Sequence, residues 1–113
     1  MRILYIFFFL ALLVNGYSQC DCEANKKMDK LISQSKDKKY DLRERMSKLE
    51  EAMELDEDCM EPRFQLALLS FKRSSRSSTL GFGTSEAHFR TIADRCPAYH
   101  ADVHYYLGLI YYN

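Results

Sequence analysis

Tryptophan is absent, and only two prolines and four glycines break a chain of 113 residues. With 47% apolar residues the chain can pack a core, which excludes disorder throughout. An excess of charge is missing too. Sixteen basic residues balance sixteen acidic ones, so a nucleic-acid partner has no bulk electrostatic support. No segment alternates apolar and polar residues with the period of two that marks a strand, and the expected class is all-α. The length allows one domain at most.

The framing that catalysis needs is also missing. No G-x-S-x-G elbow groups a serine with a histidine and an acid, and Gly81-Phe82-Gly83 lacks the Lys-Ser/Thr that follows in phosphate loops. The stretch from His100 to His104, HADVH, spaces two imidazoles along one helix face like the zinc peptidase motif. Ala101, however, stands where the general-base glutamate must be. A hydrolase would need His88, Asp94 or Cys96 to share a metal with both imidazoles. Packing or surface roles are the plainer reading, and no enzyme activity, metal or cofactor is expected.

Residues 1–18 stand apart. Arg2 supplies a positive start, residues 3–14 are an unbroken apolar run, and Gly16 and Ser18 place small residues at −3 and −1 of a cleavage point before Gln19. That is the pattern of a secretory signal peptide. As a helix the run spans roughly 18 Å, short of a bilayer core of ~30 Å, so no integral span is expected after cleavage. Lipidation of Cys20 is a rival reading, but Gln19 and Tyr17 occupy the places where a lipobox has a small residue and leucine. The exported part carries Cys20, Cys22, Cys59 and Cys96. An oxidising compartment permits disulfides, and four cysteines allow three pairings among which the sequence does not choose. A zinc site is disfavoured, because C-x-C followed by single cysteines lacks paired knuckles.

Residues 19–40 form a polar segment with one helix expected over 23–34, on the stripe Met28, Leu31 and Ile32. A second helix is expected over 41–55, where Leu42, Met46, Leu49 and Met53 recur at helical spacing and Asp41 with Glu44 makes a box-like cap. A third runs from Asp58 or Cys59 to Lys72, with Asp58 as cap, Pro62 tolerated in the first turn and Phe64, Ala67, Leu68 and Phe71 as the stripe. Residues 73–84 are rich in serine and glycine and read as a loop or insert. Thr84 or Ser85 then caps a helix with the stripe Phe89, Ile92, Ala93 and Cys96, which Pro97 stops. The last helix carries Val103, Tyr106, Leu107, Ile110 and Tyr111.

Two pieces of the chain match in register, KLEEAMELDEDCMEPRFQLALLSF and HFRTIADRCPAYHADVHYYLGLIYY, at a spacing of about 40 residues. Leu107-Gly108 with Tyr111, Leu66-Ala67, Leu49 with Ala52 before ELDED, and Phe89 eight residues before Pro97 follow the order of the tetratricopeptide repeat motif. Over residues 41–113 the chain resembles that family. With its signal peptide and its ELDEDC, RCPAYH and YYLG stretches it also looks like the N-terminal repeats of periplasmic OmpA-family envelope proteins. Some of those serve type IX secretion.

The resemblance implies a short α-solenoid of antiparallel helix pairs, incomplete at the C-terminus, that binds a protein or peptide and is exported to the periplasm, with outer-membrane association or envelope-complex subunits as further expectations. In the family's register the concave face would present Phe64, Leu68, Phe71 and Lys72, then Tyr105, Leu109 and Tyr112. Plain packing on the preceding helix is the competing reading for Phe64, Leu68 and Phe71. A first helix without its repeat partner would leave apolar surface open, so either this is a fragment or another chain covers Tyr106 and Ile110. Lys72, Arg73 and Arg76 with the serines form a small basic patch, either a solvated linker or a surface for anions such as lipid headgroups.

Overall fold

A computed structural model describes residues 20, 22–23, 25–77 and 79–112. The signal-peptide reading and the cleavage point lie outside the described residues. The described chain is all-α, five helices with no strand among the described residues: α1 Lys26–Ser35, α2 Leu42–Leu55, α3 Met60–Ser75, α4 Gly83–Arg95 and α5 Ala101–Tyr112. None of them is long and apolar enough to cross a membrane.

Each helix packs against the next, and successive helices run antiparallel. At one end of the α1–α2 pair Arg45 Nε donates to the Ser35 carbonyl at 2.6 Å, and at the other Lys27 meets Glu51. Local chemistry sets the helix starts. Asp41 Oδ1 accepts from the Glu44 amide at 2.8 Å, satisfying one of the free donors at the α2 N-terminus. Asn25 does the same for the Met28 amide and starts α1 at Lys26, three residues later than expected.

Asp58 is not the cap of α3. The Asp56 side chain accepts from the Asp58 amide in a tight turn, which leaves Cys59 at the cap position without a side-chain bond. The loop after α3 is also shorter than residues 73–84. Ser75 Oγ donates to the Lys72 carbonyl and the helix runs on to Ser75. Phe82 rather than Thr84 or Ser85 precedes α4, because its ring packs on Phe71 at 5.2 Å and Ser85 Oγ turns back to the Phe82 carbonyl.

The core has two parts. Leu49, Leu66 and Leu69 join α2 to α3, and beside them Met28, Leu31, Ala52 and Cys59 join α1 to α2. The larger part draws Met60, Phe64 and Ala67 from α3, Phe89, Ile92 and Cys96 from the α4 side, and Val103, Leu107 and Ile110 from α5. Phe89 and Ile92 are fully buried. Leu49 and Ala52 are equally buried, so the α2 stripe faces inward as its spacing requires.

Two disulfides tie the N-terminal segment across the stack. Cys22 pairs with Cys59 in the α2–α3 turn, and Cys20 pairs with Cys96 in the α4–α5 turn. Those two turns hold the same place in the two matching helix–turn–helix pieces. All four cysteines are used. A bridged Cys20 has no thiol to carry a lipid, which sets aside the lipidation reading, and Cys96 has none for a metal.

Candidate functional site

The feature least explained by packing is α5. Val103, Leu107 and Ile110 point into the core, but the opposite side of the helix is uncharged as well. Ala101, Tyr105, Gly108 and Tyr112 follow one another at four, three and four residues, which is one helix face. Tyr105 is 61% exposed and Tyr112 is 95% exposed. A side-chain atom placed on Gly108 would meet nothing within 4 Å, so the middle of this face is open. Helices that are apolar all round are normally buried all round. Here one side has no cover among the described residues.

Rings carry this face back to α3. Tyr105 meets Tyr106 at 5.5 Å edge to face, Tyr106 meets Phe71 at 4.9 Å, and Tyr106 lies flat on Phe89 at 5.3 Å. The site residues expected from sequence therefore divide. Phe71 and Tyr105 are brought together through Tyr106. Leu68 is half-buried beside the same core, Leu109 is half-buried on α5, and Lys72 is exposed.

Phe64 lies inside the core at 6% exposure, between Phe89, Tyr99 and His100, and offers no surface to a ligand. Tyr106 and Ile110, expected to lie open in a fragment or to be covered by another chain, are covered from within: Ile110 is buried and Tyr106 is held by Phe71 and Phe89. Tyr111, expected in the inward stripe, is 58% exposed instead, and its hydroxyl accepts from both Arg90 Nε and Arg90 Nη2. The inward stripe placed Tyr106 correctly, but its ring partners Phe71 and Phe89 and the role of Arg90 left no signal in the sequence. On a helix with aromatics on every side, spacing alone does not say which tyrosine faces in.

The histidines are engaged locally. His104 Nε2 lies 3.1 Å from the Pro97 carbonyl, His100 Nδ1 accepts from the Asp102 amide, and the His100 ring stacks on Phe64. No group of three candidate metal ligands occurs among the described residues. Beside them the Tyr99 hydroxyl donates to Glu61 Oε2 at 2.5 Å; burial first, and then the carboxylate, push the Tyr99 hydroxyl well above its usual pKa.

On the other side of the stack a cleft of about 350 Å³ lies between α2 and α3, with Glu50, Glu54 and Glu57 on its rim and Arg63 and His88 in its wall. Arg63 Nη1 sits 3.3 Å from His88 Nδ1. Burial first, and then the neighbouring guanidinium, lower the His88 pKa. Such a neutral imidazole can accept from Arg63, and the pair fastens α3 to α4 with no nucleophile beside it.

Compared with protein-family models, with curated proteins and with solved structures, the chain matches none.

Proposed function

We propose that this protein is an exported helical-repeat module of the tetratricopeptide kind, acting in the bacterial cell envelope, which binds a protein or peptide and catalyses nothing. The observation that carries the reading is the uncharged, exposed face of α5, with Tyr105 and Tyr112 flanking open Gly108. Aromatic side chains on a rigid helix are strong anchors, because they bring large contact area and lose little rotamer freedom. Phe71, Tyr106 and Phe89 support Tyr105 from behind, so the anchor is held before a partner arrives. The two disulfides support export, since such bridges persist in oxidising compartments.

The test is selection of peptides from a random display library on the disulfide-intact protein, followed by affinity measurement with the parent and with Tyr105→Ala and Tyr112→Ala. Each substitution is expected to weaken a selected peptide by about 2 kcal/mol, roughly thirtyfold. Selected peptides that bind both variants as well as the parent would overturn the reading.

The same face favours a second reading, in which α5 docks on another subunit of an envelope or secretion complex. An oligomer in light scattering that dissociates on Tyr112→Ala would favour it over peptide capture.

A further inference from the structure

The basic patch noticed in the sequence is larger in the fold than in the chain. The α1–α2 turn brings Lys36, Lys38 and Lys39 to one end of the stack, the start of α2 adds Arg43, and the end of α3 adds Lys72, Arg73 and Arg76. Arg43 and Arg73, 30 positions apart, line one cleft of about 290 Å³ with Asp41 and Leu42. All seven cations are exposed. Residues 36–44 and 72–76 hold these seven against three carboxylates, Asp37, Asp41 and Glu44. Two of the three are occupied: Asp37 meets Lys39 and accepts from its amide, and Asp41 caps α2. Arg43, Lys72, Arg73 and Arg76 make no ion pair with a described residue.

The whole chain is neutral, so the rest of it is acidic to the same degree. Asp56, Glu57 and Asp58 sit at the far end of α2, about 21 Å away for its 14 residues. A molecule charged in this way turns one end toward an anionic surface before contact.

A second observation chooses among anionic partners. The loop after α3 presents Leu80, 44% exposed, at this same end. The loop is built to do so. Ser77 Oγ accepts from the Thr79 and Leu80 amides at 3.2 and 3.1 Å, and Ser74 Oγ, on the last turn of α3, donates to the Gly81 carbonyl at 2.8 Å. A soluble polyanion has no use for an exposed leucine at the end of the stack where the cations gather. A bilayer does, because headgroups attract the cations while the acyl boundary takes the apolar side chain.

We infer that this basic end, through Arg43, Arg73, Arg76 and the Leu80 loop, docks on an anionic lipid bilayer. The inference does not draw on the α5 face, which lies on another helix and is left free for its own partner.

The test is sedimentation of the full chain with vesicles of phosphatidylcholine and with vesicles in which part of it is replaced by phosphatidylglycerol, at low and at high salt. Binding to the neutral vesicles sets the contribution of the apolar run in residues 3–14, and the gain on adding phosphatidylglycerol is the readout. Replacing Arg43, Arg73 and Arg76 by glutamine should reduce that gain by about a hundredfold at low salt, the effect of three surface charges. Replacing Lys26, Lys27 and Lys30, at the other end of α1, should leave most of it. Leu80→Ser should weaken vesicle binding several-fold and leave binding to immobilised heparin unchanged. No gain with phosphatidylglycerol, an equal loss from the lysine set, or an equal effect of Leu80→Ser on heparin and vesicles would each overturn the inference.

Discussion

Removing the disulfides one at a time should separate their contributions. The Cys22–Cys59 bridge closes a loop with a sequence separation of 37, nested inside the Cys20–Cys96 bridge with a separation of 76. In the chain-entropy account a bridge stabilises by restricting the unfolded state, and the effect grows with the logarithm of the loop. With the inner bridge in place, the outer one closes only what the inner loop leaves of it, about 39 residues. Cys20→Ala with Cys96→Ala should therefore cost about 4 kcal/mol, and Cys22→Ala with Cys59→Ala about 3 kcal/mol, because the outer bridge already restrains the inner loop. For a domain of this size that is a fall in melting temperature of at least 10 °C in either case. The assay is urea unfolding followed by circular dichroism on non-reduced protein, with the pairing verified by mapping of proteolytic peptides. A loss below about 1 kcal/mol for both pairs would refute the reasoning, since the strap would then restrain nothing that the unfolded chain explores. A map linking Cys20 to Cys59 would refute it at the level of the fold.

Asp41→Ala removes the one side-chain bond at the α2 N-terminus and should cost about 1 kcal/mol in the same assay, whereas Asp58→Ala, whose carboxylate caps nothing, should cost less than about 0.5 kcal/mol. Because the folded-state pKa of His88 lies below its ordinary 6.5, the unfolded chain takes up a proton first as pH falls, so stability present above 6.5 should decline below it. Urea midpoints on either side of that value, with His88→Gln as the flat reference, measure this. Phe89→Ala should cost about 3–5 kcal/mol, since the ring is wholly buried between Phe64 and Tyr106. Tyr112→Ala should change stability by less than about 0.5 kcal/mol, because a side chain 95% exposed has little packing to lose; a larger loss would mean that the tyrosine serves the fold instead of a partner.

The parts of the fold that the sequence discloses are those where neighbours in the chain decide the outcome. The α2 helix is legible from Asp41 onward, because a cap and a stripe of Leu42, Met46, Leu49 and Met53 both act within a few residues. The boundary after α3 is not. Ser74 and Ser75 read as loop, since serine side chains compete with helical hydrogen bonds, yet Ser75 bonds back to Lys72 and Ser74 reaches across to Gly81. The Phe71–Phe82 contact that sets the following loop spans eleven positions and leaves no periodic trace. The candidate site follows the same rule. The register of the repeat resemblance names Tyr105, Leu109 and Tyr112, and the structure places Tyr105 and Tyr112 on the exposed side of α5 and leaves Leu109 half-buried. For Phe64 the packing reading holds over the groove reading, since Phe89, Tyr99 and His100 close around it, a contact set that its spacing alone does not disclose.

The cysteine pairing gives the two surfaces, the α5 face and the basic end, a common logic. Cys59 and Cys96 occupy matching turns of two successive helix–turn–helix units, so both lie at one end of the stack, the end where Asp56, Glu57 and Asp58 gather and where Arg95 reaches the Glu57 carbonyl and Asp58. The strap Cys20-x-Cys22 can reach both turns because it crosses that end. Cys22, nearer to α1, takes the nearer turn, and Cys20 takes the farther one. Helices joined only to their neighbours can slide along their seams, and a strap pinned at two turns holds α3 and α5 at one separation. Phe71 sits on α3, and Tyr106 and Tyr105 sit on α5, so the strap ties together at one end the two helices that carry the rings behind the exposed face of α5. It does so from the acidic end, which leaves the basic end with Leu80 uncovered. Loss of the Cys20–Cys96 bridge should therefore loosen peptide binding at Tyr105 before it touches vesicle binding at Arg43 and Arg73. A variant that lost both together would show that the two surfaces are not mechanically separate.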